Sequence, residues 1–454
     1  MKAVYACLLW ACVFVPCAHA AEYGLNDWQN PAPHGLEPFS GNAAALADLA
    51  ADTVAVYPHA PRDFTLEVKG KLKKYRNQQF VSAALVLPVS AATVAQTVRH
   101  YPGYAGFLPK TTLSRLKQQS GPHSLMQYHV RIDLPMPFPN VSEDILAQHT
   151  VEPDGSVSAR LIDAPMDIGL ARYQWFPIDA QHTLLVFTTW TDLSSATFLL
   201  RTIMRAFPDI RFAIPYVGNG FLAEAFRNRL APASSPNPAT LPAIPPAKEM
   251  VWTPERKQVL SRLLAHGETA FIHPPVWIRG ANDQPVDLRF ITAIGQVHAP
   301  VDSTRQLTTD FARYPKIFPQ VRKVRIQQTQ GSGFNMDMKL GIGLGFLSLP
   351  VNLSIAHTWG KDRTLYYKSF AGDVEHIQGQ WHWEEAAGNS TWMHLHSAGE
   401  VGEHPPHVLK LAKYLPYNDF LPTLGAQVIS LRKLEHWVER QQPGAVQPEE
   451  PLPE

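Results

Sequence analysis

Tyr104-Ala105-Gly106-Phe107-Leu108-Pro109 and Tyr314-Pro315-Lys316-Ile317-Phe318-Pro319 stand 210 residues apart and share an opening tyrosine, a hydrophobic pair and a closing proline. The same offset continues through Arg115 and Arg325, Leu116 and Ile326, Gln118 and Gln328, and Gly121 and Gly331. Upstream of the two segments, Pro88-Val89-Ser90 and Pro300-Val301-Asp302 each open a helical pattern, and Val54-Ala55-Val56-Tyr57-Pro58 has its counterpart in Ala270-Phe271-Ile272-His273-Pro274. The order of these features reads as a duplicated unit over 43–230 and 255–440.

Each unit follows one plan. Phe80 to Leu87 and Leu288 to Val297 are strand-like, rich in Val, Ile, Leu and Phe. Ser90 and Asp302 suit the N-cap of the helices that follow. Strand patterns come next, clearest in Ile377-Gln378-Gly379-Gln380-Trp381-His382-Trp383-Glu384, where Ile377, Trp381 and Trp383 share one face and the polar residues the other. That period of two predicts a sheet with one buried and one wet face. Thr391 to Ser397, after Gly388-Asn389, is expected to pair back as a hairpin. The units close on long helical patterns, Ser194 to Arg229 and Val408 to Val438, interrupted at Pro208, Pro215, Pro416 and Pro422. Strands followed by a long helix, given twice, predict an α+β fold of two tandem units.

Between the units, 231–254 carries Pro232, Pro236, Pro238, Pro242, Pro245 and Pro246 and reads as an extended linker. Residues 21–42 form an N-terminal extension, and 441–454, rich in Pro and Glu, a disordered tail. At the start, Lys2, the apolar run Ala3 to Val15, Pro16 and Ala18-His19-Ala20 have the form of a signal peptide cleaved after Ala20. Cys7, Cys12 and Cys17 all lie in 1–20, so the mature chain would hold no cysteine, which excludes disulfides, zinc–thiolate sites and thiol nucleophiles. Export without cysteine points to a bacterial periplasm rather than a eukaryotic secretory route.

Lys plus Arg number 40 against 39 Asp plus Glu, and charged residues make up only 17% of the chain. The near-neutral balance argues against a nucleic-acid partner held by counterion release. With 45% hydrophobic residues, the chain suits a large apolar interior.

The order of elements, together with Pro88 to Pro109, Trp175-Phe176-Pro177-Ile178-Asp179 before Thr183 to Trp190, and Pro300 to Pro319, resembles the START-like (SRPBCC, helix-grip) superfamily. The polyketide-cyclase and coenzyme-Q-binding START branch is the nearest likeness. The resemblance implies two curved antiparallel sheets, each wrapped around its C-terminal helix and enclosing an apolar cavity that binds sterols, phospholipids, quinones or polyketides. Tandem duplication, export and the Gly341-Ile342-Gly343-Leu344-Gly345 run depart from the common pattern.

The bulky residues expected at such cavities are Tyr104, Phe107, Trp175, Trp190, Phe198 and Phe221 in the first unit. In the second they are Tyr314, Phe318, Trp359, Trp381, Trp383, Met393 and Phe420. Most aromatic residues on strands serve simply as core, so it is their number together that suggests a pocket. His382, His394 and His396 share the polar face near Glu384, where zinc is a weak alternative to plain exposure. The Gly341 to Gly345 run has the wrong spacing for a dinucleotide fingerprint. No cofactor and no catalytic signature is read. Lys69, Lys71, Lys73, Lys74 and Arg76, with a smaller cluster at Arg322, Lys323 and Arg325, read as solvated strand ends, or as points of transient contact with a membrane surface.

The expected function is an exported protein that binds or transfers a hydrophobic small molecule or lipid. The alternatives are a cyclase, hydrolase or isomerase using Asp133, Asp167, Asp337 or His357, and a docking scaffold in which one unit has lost its cavity.

Overall fold

The computed structural model describes residues 25, 27–133, 140–164, 168–195, 204, 208–232, 250–279, 285–329, 331–344, 347–374, 376–400, 411–414 and 416–442. The expected signal peptide, most of the linker, the tail, Asp167 and Phe198 lie outside them.

The first unit contributes β1 (Val54–Pro58), β2 (Arg62–Val68), β3 (Lys71–Gln78), β4 (Val81–Leu87), β5 (Thr111–Ser120), β6 (His123–Ile132), β7 (Val141–Val151), β8 (Val157–Asp163), β9 (Gly169–Pro177) and β10 (Thr183–Thr191). The second repeats them as β11 (Thr269–Ile272), β12 (Val276–Arg279), β13 (Pro285–Leu288), β14 (Ile291–Val297), β15 (Val321–Gln328), β16 (Gly333–Leu344), β17 (Leu347–Trp359), β18 (Thr364–Gly372), β19 (His376–Ala386) and β20 (Ser390–Glu400). The spatial order is β1-β4-β10-β9-β8-β7-β6-β5 in one unit and β11-β14-β20-β19-β18-β17-β16-β15 in the other, all antiparallel, while β2–β3 and β12–β13 stand apart as hairpins. The fold is α+β, two helix-grip units in tandem.

Periodicity gave no sign that the two sheets would be one. β1 pairs with β11, so a single sheet of 16 strands runs through both units. The register is Val54 with Ile272, Ala55 with Phe271 and Val56 with Ala270. Val56 faces Ala83 of β4, and Ala270 faces Ala293 of β14, so equivalent residues of the two units meet at the junction, as they would on a dimer axis.

The first long helix (Ile210–Leu230) packs on β4, the last helix (Leu421–Arg440) on β14, and the two helices pack on each other. Gly220 permits that crossing, since a Cβ there would come within 3.1 Å of Leu424 Cδ2 and Ile272 Cδ1. Each helix is clamped to its sheet by the same device. Asn219 Nδ2 donates to the Val81 carbonyl at 3.0 Å and to Thr189 Oγ1 at 2.8 Å. Gln427 Nε2 donates to the Ile291 carbonyl at 3.0 Å and to Ser397 Oγ at 2.7 Å.

The helix limits differ from the expectation. The last described helix starts at Leu421, while Val408 lies outside the described residues, and Pro422 does not break the helix, because in the first turn a missing N–H costs no hydrogen bond. Ser90 caps its helix through the Thr93 amide, as read. In the second unit Pro300 takes the cap position, and Asp302 sits in the first turn facing the helix N-terminus.

A buried charge cluster joins the units. Arg289 Nη1 lies 2.8 Å from Glu224 Oε1 of the first long helix, and its Nε 3.1 Å from Asp419 Oδ2. Arg227 also pairs with Glu224.

The outer face of the central strands is not wet. Helices Ala43–Leu49 and Pro254–Leu264 cover it with Leu46, Leu49, Leu260 and Leu263, packed on Tyr57, Leu184, Phe271 and Ile294. Polar side chains in and beside these strands are buried and bonded to one another, His59 Nε2 with Ser82 Oγ at 2.7 Å and Ser82 Oγ with Thr188 Oγ1 at 2.7 Å.

Candidate functional site

Between the sheet and the last helix of the second unit lies an apolar cavity of about 180 Å³. β16 lines it with Met336, Met338 and Leu340, and β17 with Val351, Leu353, Ile355 and His357. Tyr314, Tyr367, Trp381 and Leu395 close the sides, and Pro422 and Gln427 come from the helix. The strand period of two places residues 336, 338 and 340 on one face.

Of the bulky residues singled out from sequence, Tyr314 and Trp381 line this cavity. Phe318 packs behind Tyr314, ring centres 5.0 Å apart. Trp383 stacks behind Trp381 at 5.9 Å and donates from Nε1 to Thr308 Oγ1 at 3.0 Å. Trp359 tilts over Trp383 at 6.2 Å under the Arg305 guanidinium. Met393 is buried in the core, and Phe420 lies under Arg289 at 4.8 Å, both away from the lining. In the first unit, Tyr104 and Phe107 pack around Phe226. Phe221 packs across the unit boundary on Tyr417, and Trp175 is half-buried under Arg99. Trp190 requires a correction. It points away from the first long helix into a separate cluster with Phe64, Tyr75 and Phe80, because alternation along β10 gives it the face opposite Phe187.

The polar-face histidines also require one. His394 and His396 are buried, not exposed, while His382 is half-buried. His396 Nδ1 contacts Thr292 Oγ1 at 2.7 Å, and Thr292 in turn contacts His273 Nε2 at 2.7 Å. Glu384 is held by His394 and by Lys257, which keep its carboxyl at about 2. Among the described residues no group of three or more His, Cys, Asp or Glu is placed to hold a metal ion.

Cross-strand register aligns the interiors of the two units. Tyr104 Oη donates to the Val98 carbonyl at 2.6 Å, and Tyr314 Oη to the Thr308 carbonyl at 2.9 Å. Met126 corresponds to Met336, Tyr128 to Met338, and His149 to His357. Burial pushes His149 down to about 3 and His357 to about 4, the latter partly offset by the Ile355 carbonyl, so both imidazoles are neutral at pH 7. Where the second unit has its cavity, the first has aromatic rings in contact. Phe226 lies 5.0 Å from Phe107 and 5.1 Å from Phe187, and Tyr104 is 6.2 Å from Tyr128.

Of the acids considered for catalysis, Asp133 is exposed and paired with Arg131, and Asp337 is at the surface accepting from Ser354. No carboxylate lines the cavity among the described residues; His357 does.

A family model described as polyketide cyclase / dehydrase and lipid transport matches residues 297–411, within the second unit. The START-like match falls on the second unit, and the first repeats its strand order. Among solved structures, the di-domain ARO/CYC StfQ from the steffimycin biosynthetic pathway is similar at 11% identity, over 79% of this chain and 98% of that one, with a TM-score of 0.25. The di-domain ARO/CYC BexL from the BE-7585A pathway gives 10% identity, 80% and 99% coverage and a TM-score of 0.26. A STAR-related lipid transfer protein fragment from Xanthomonas axonopodis gives 15% identity, 37% and 98% coverage and a TM-score of 0.24. No curated protein sequence matches the chain. In START-like terms, the family match falls on the unit that holds the cavity.

Proposed function

We propose that this chain is an exported, periplasmic carrier of a hydrophobic small molecule or lipid, loaded into the second START-like unit. The observation that carries the reading is the cavity of about 180 Å³ behind Met336, Met338, Leu353 and Trp381. The first unit, with Phe226, Phe107 and Phe187 in its interior, acts as the packed partner that braces the second across the shared sheet.

The volume narrows the ligand. Typical small-molecule pockets hold ~300–1,000 Å³. An engineered cavity of about 150 Å³ takes up benzene, so this one has room for about seven non-hydrogen atoms. That space takes an aromatic ring or the end of an acyl or isoprenoid chain, and a longer ligand would extend out through the open side. Burying ~150 Å² of apolar ligand surface supplies about 4 kcal/mol before association costs. The test is native mass spectrometry of protein purified from the periplasmic fraction, together with its N-terminal sequence. A copurifying hydrophobic molecule and a chain starting at Ala21 are expected. Protein that carries nothing and takes up no apolar probe refutes the carrier, and retention of 1–20 refutes the cleavage.

An enzyme of cyclase, hydrolase or isomerase type is the second reading, favoured by His357 in the cavity wall. A neutral imidazole at about 4 is a weak base for such work at pH 7, which leaves binding as the stronger reading.

A further inference from the structure

The two units answer the same buried histidine in different ways. In the first, His149 is 3% exposed, and Tyr128 Oη stands 2.8 Å from its Nε2. A neutral imidazole always presents one acceptor nitrogen, and a phenol O–H is a strong donor to it. Tyr101 stacks on the ring at 4.2 Å and completes the setting.

In the second unit the histidine is kept and the phenol is gone. His357 is 4% exposed, with Phe334 stacked on it at 4.6 Å and Phe311 at 5.2 Å. The position of Tyr128 is taken by Met338, as the register of each with its neighbour strand shows: Tyr128 faces Ile145 and Met338 faces Leu353. Met338 cannot donate, and the cavity opens between it and His357. Nδ1 is buried without a hydrogen-bond partner in both histidines, so it does not distinguish the units; the difference lies at Nε2, which meets the Tyr128 hydroxyl in His149, whereas among the described residues no hydroxyl is bonded to the ring of His357. Tyr367 comes within 5.9 Å of the imidazole, but its hydroxyl is engaged by Ser397. The Ile355 carbonyl serves the ring as a donor, so it is the acceptor side of the neutral imidazole that lacks a partner, and a buried acceptor left unpaired beside an apolar void is costly.

We infer that the second-unit cavity takes a hydroxylated aromatic ring, a phenol-class ligand, whose O–H bonds to His357 in the place that Tyr128 fills for His149. The inference rests on the carrier reading and specifies its ligand. Size agrees with chemistry, because phenol has seven non-hydrogen atoms, about the number the cavity holds. The Gln427 amide oxygen is also unpartnered, but so is its first-unit counterpart on Asn219, so it does not distinguish the two units.

Phenol and toluene have nearly the same shape and differ in the one group at issue, so their binding to the full chain can be compared by calorimetry or ligand-observed NMR. In the native protein, phenol is expected to bind at least as tightly as toluene despite its greater hydration. His357→Phe keeps the stacking with Phe334 and should shift the phenol-to-toluene affinity ratio tenfold or more toward toluene. Met338→Tyr supplies the missing phenol from the chain itself and should abolish binding of both probes. Toluene binding with an affinity ratio unchanged by His357→Phe, as when water already satisfies the imidazole, overturns this inference and leaves the carrier intact. Should His357→Phe not fold, Met338→Tyr that still binds phenol overturns it. Failure of the native protein to bind either probe overturns the carrier reading and this one together.

Discussion

Arg289→Met removes the cation that ties the units together while keeping most of its length and apolar stem. Arg289 is 5% exposed, Glu224 is 2% exposed, and Asp419 is largely buried beside them. Without Arg289, Glu224 retains Arg227, but Asp419 loses the cation 3.1 Å away. Breaking a buried ion pair from one side typically costs about 3–5 kcal/mol, because the remaining charge stays desolvated. Asp419 can reduce that cost by taking up a proton. Burial already raises its pKa, and the Arg289 charge is the largest factor holding it down. In the variant its folded pKa therefore moves further above the unfolded ~3.9, so the folded state binds more protons than the unfolded one over the interval between the two values. The variant accordingly gains stability relative to the native protein as pH falls through that interval. Urea denaturation at pH 8, 7, 6 and 5, followed by tryptophan fluorescence, should show the full deficit at pH 8 and a smaller one at pH 5. A deficit under about 1 kcal/mol at pH 8, or one that does not change with pH, refutes the idea that a desolvated charge cluster locks the junction.

Three further outcomes follow from the same structure. Burial holds His59, His149 and His396 near 3 and His357 near 4, so the unfolded chain binds more protons than the folded one below about pH 6.5. Each such histidine removes about 1.4 kcal/mol of stability per pH unit on the way down to its folded value. His149→Phe should flatten the slope between pH 6 and 4.5 by that amount, and an unchanged slope contradicts the assignment. Trp383, 1% exposed and bonded to Thr308, should cost about 3–5 kcal/mol on truncation to alanine, read from thermal melts; a loss under 1 kcal/mol would mean the stack on Trp381 is not core. The β2–β3 hairpin presents Lys71, Lys74 and Arg76 to solvent beside Leu72, which is 80% exposed. If it meets membranes, Lys71→Glu with Lys74→Glu should weaken cosedimentation with anionic vesicles by at least ~1 kcal/mol per charge removed, and binding indifferent to lipid charge counts against the contact.

The duplication and the strand order were legible because they are written in local patterns: the offset between Tyr104 and Tyr314, the alternation from Ile377 to Glu384, and the Gly388-Asn389 turn, where both residues adopt positive φ. The joining of β1 to β11 was not, since both segments read as buried strands and nothing in a run of five residues says whose edge it will meet. The cavity was hidden for a different reason. A search for bulky residues finds those that fill space, such as Phe226, Trp383 and Phe420, whereas the void is walled mainly by Met, Leu, Val and Ile beside the rings of Tyr314 and Trp381. The two interiors differ by the exchange of Tyr128 for Met338 and of Phe187 for Leu395, visible only once register assigns each pair to one position. Trp190 misled because one step along β10 reverses the face.

Fusing the two sheets also gives the second basic cluster a structural duty. Once β1 and β11 pair, β5 and β15 are left as the ends of the long sheet among the described residues. Both carry exposed apolar side chains, Leu113 and Leu116 on one and Ile326 on the other, and open strands of this kind invite pairing with another chain. Each is guarded in the same two ways. Bulges interrupt the register between Thr111 and Leu113 and between Leu116 and Gln118 on β5, and between Val321 and Lys323 on β15. Charges flank the apolar residues, Arg115 and Lys117 on β5 and Arg322, Lys323 and Arg325 on β15. Cations on an edge strand oppose a like strand approaching it, so this cluster needs no lipid to account for it. Replacing Arg322, Lys323 and Arg325 together by threonine, a good strand former, should leave the melting temperature nearly unchanged, since surface changes cost about 0.5 kcal/mol or less, while driving association in light scattering as concentration rises. A variant that stays monodisperse yet loses binding to anionic vesicles would instead assign those three residues to a membrane surface.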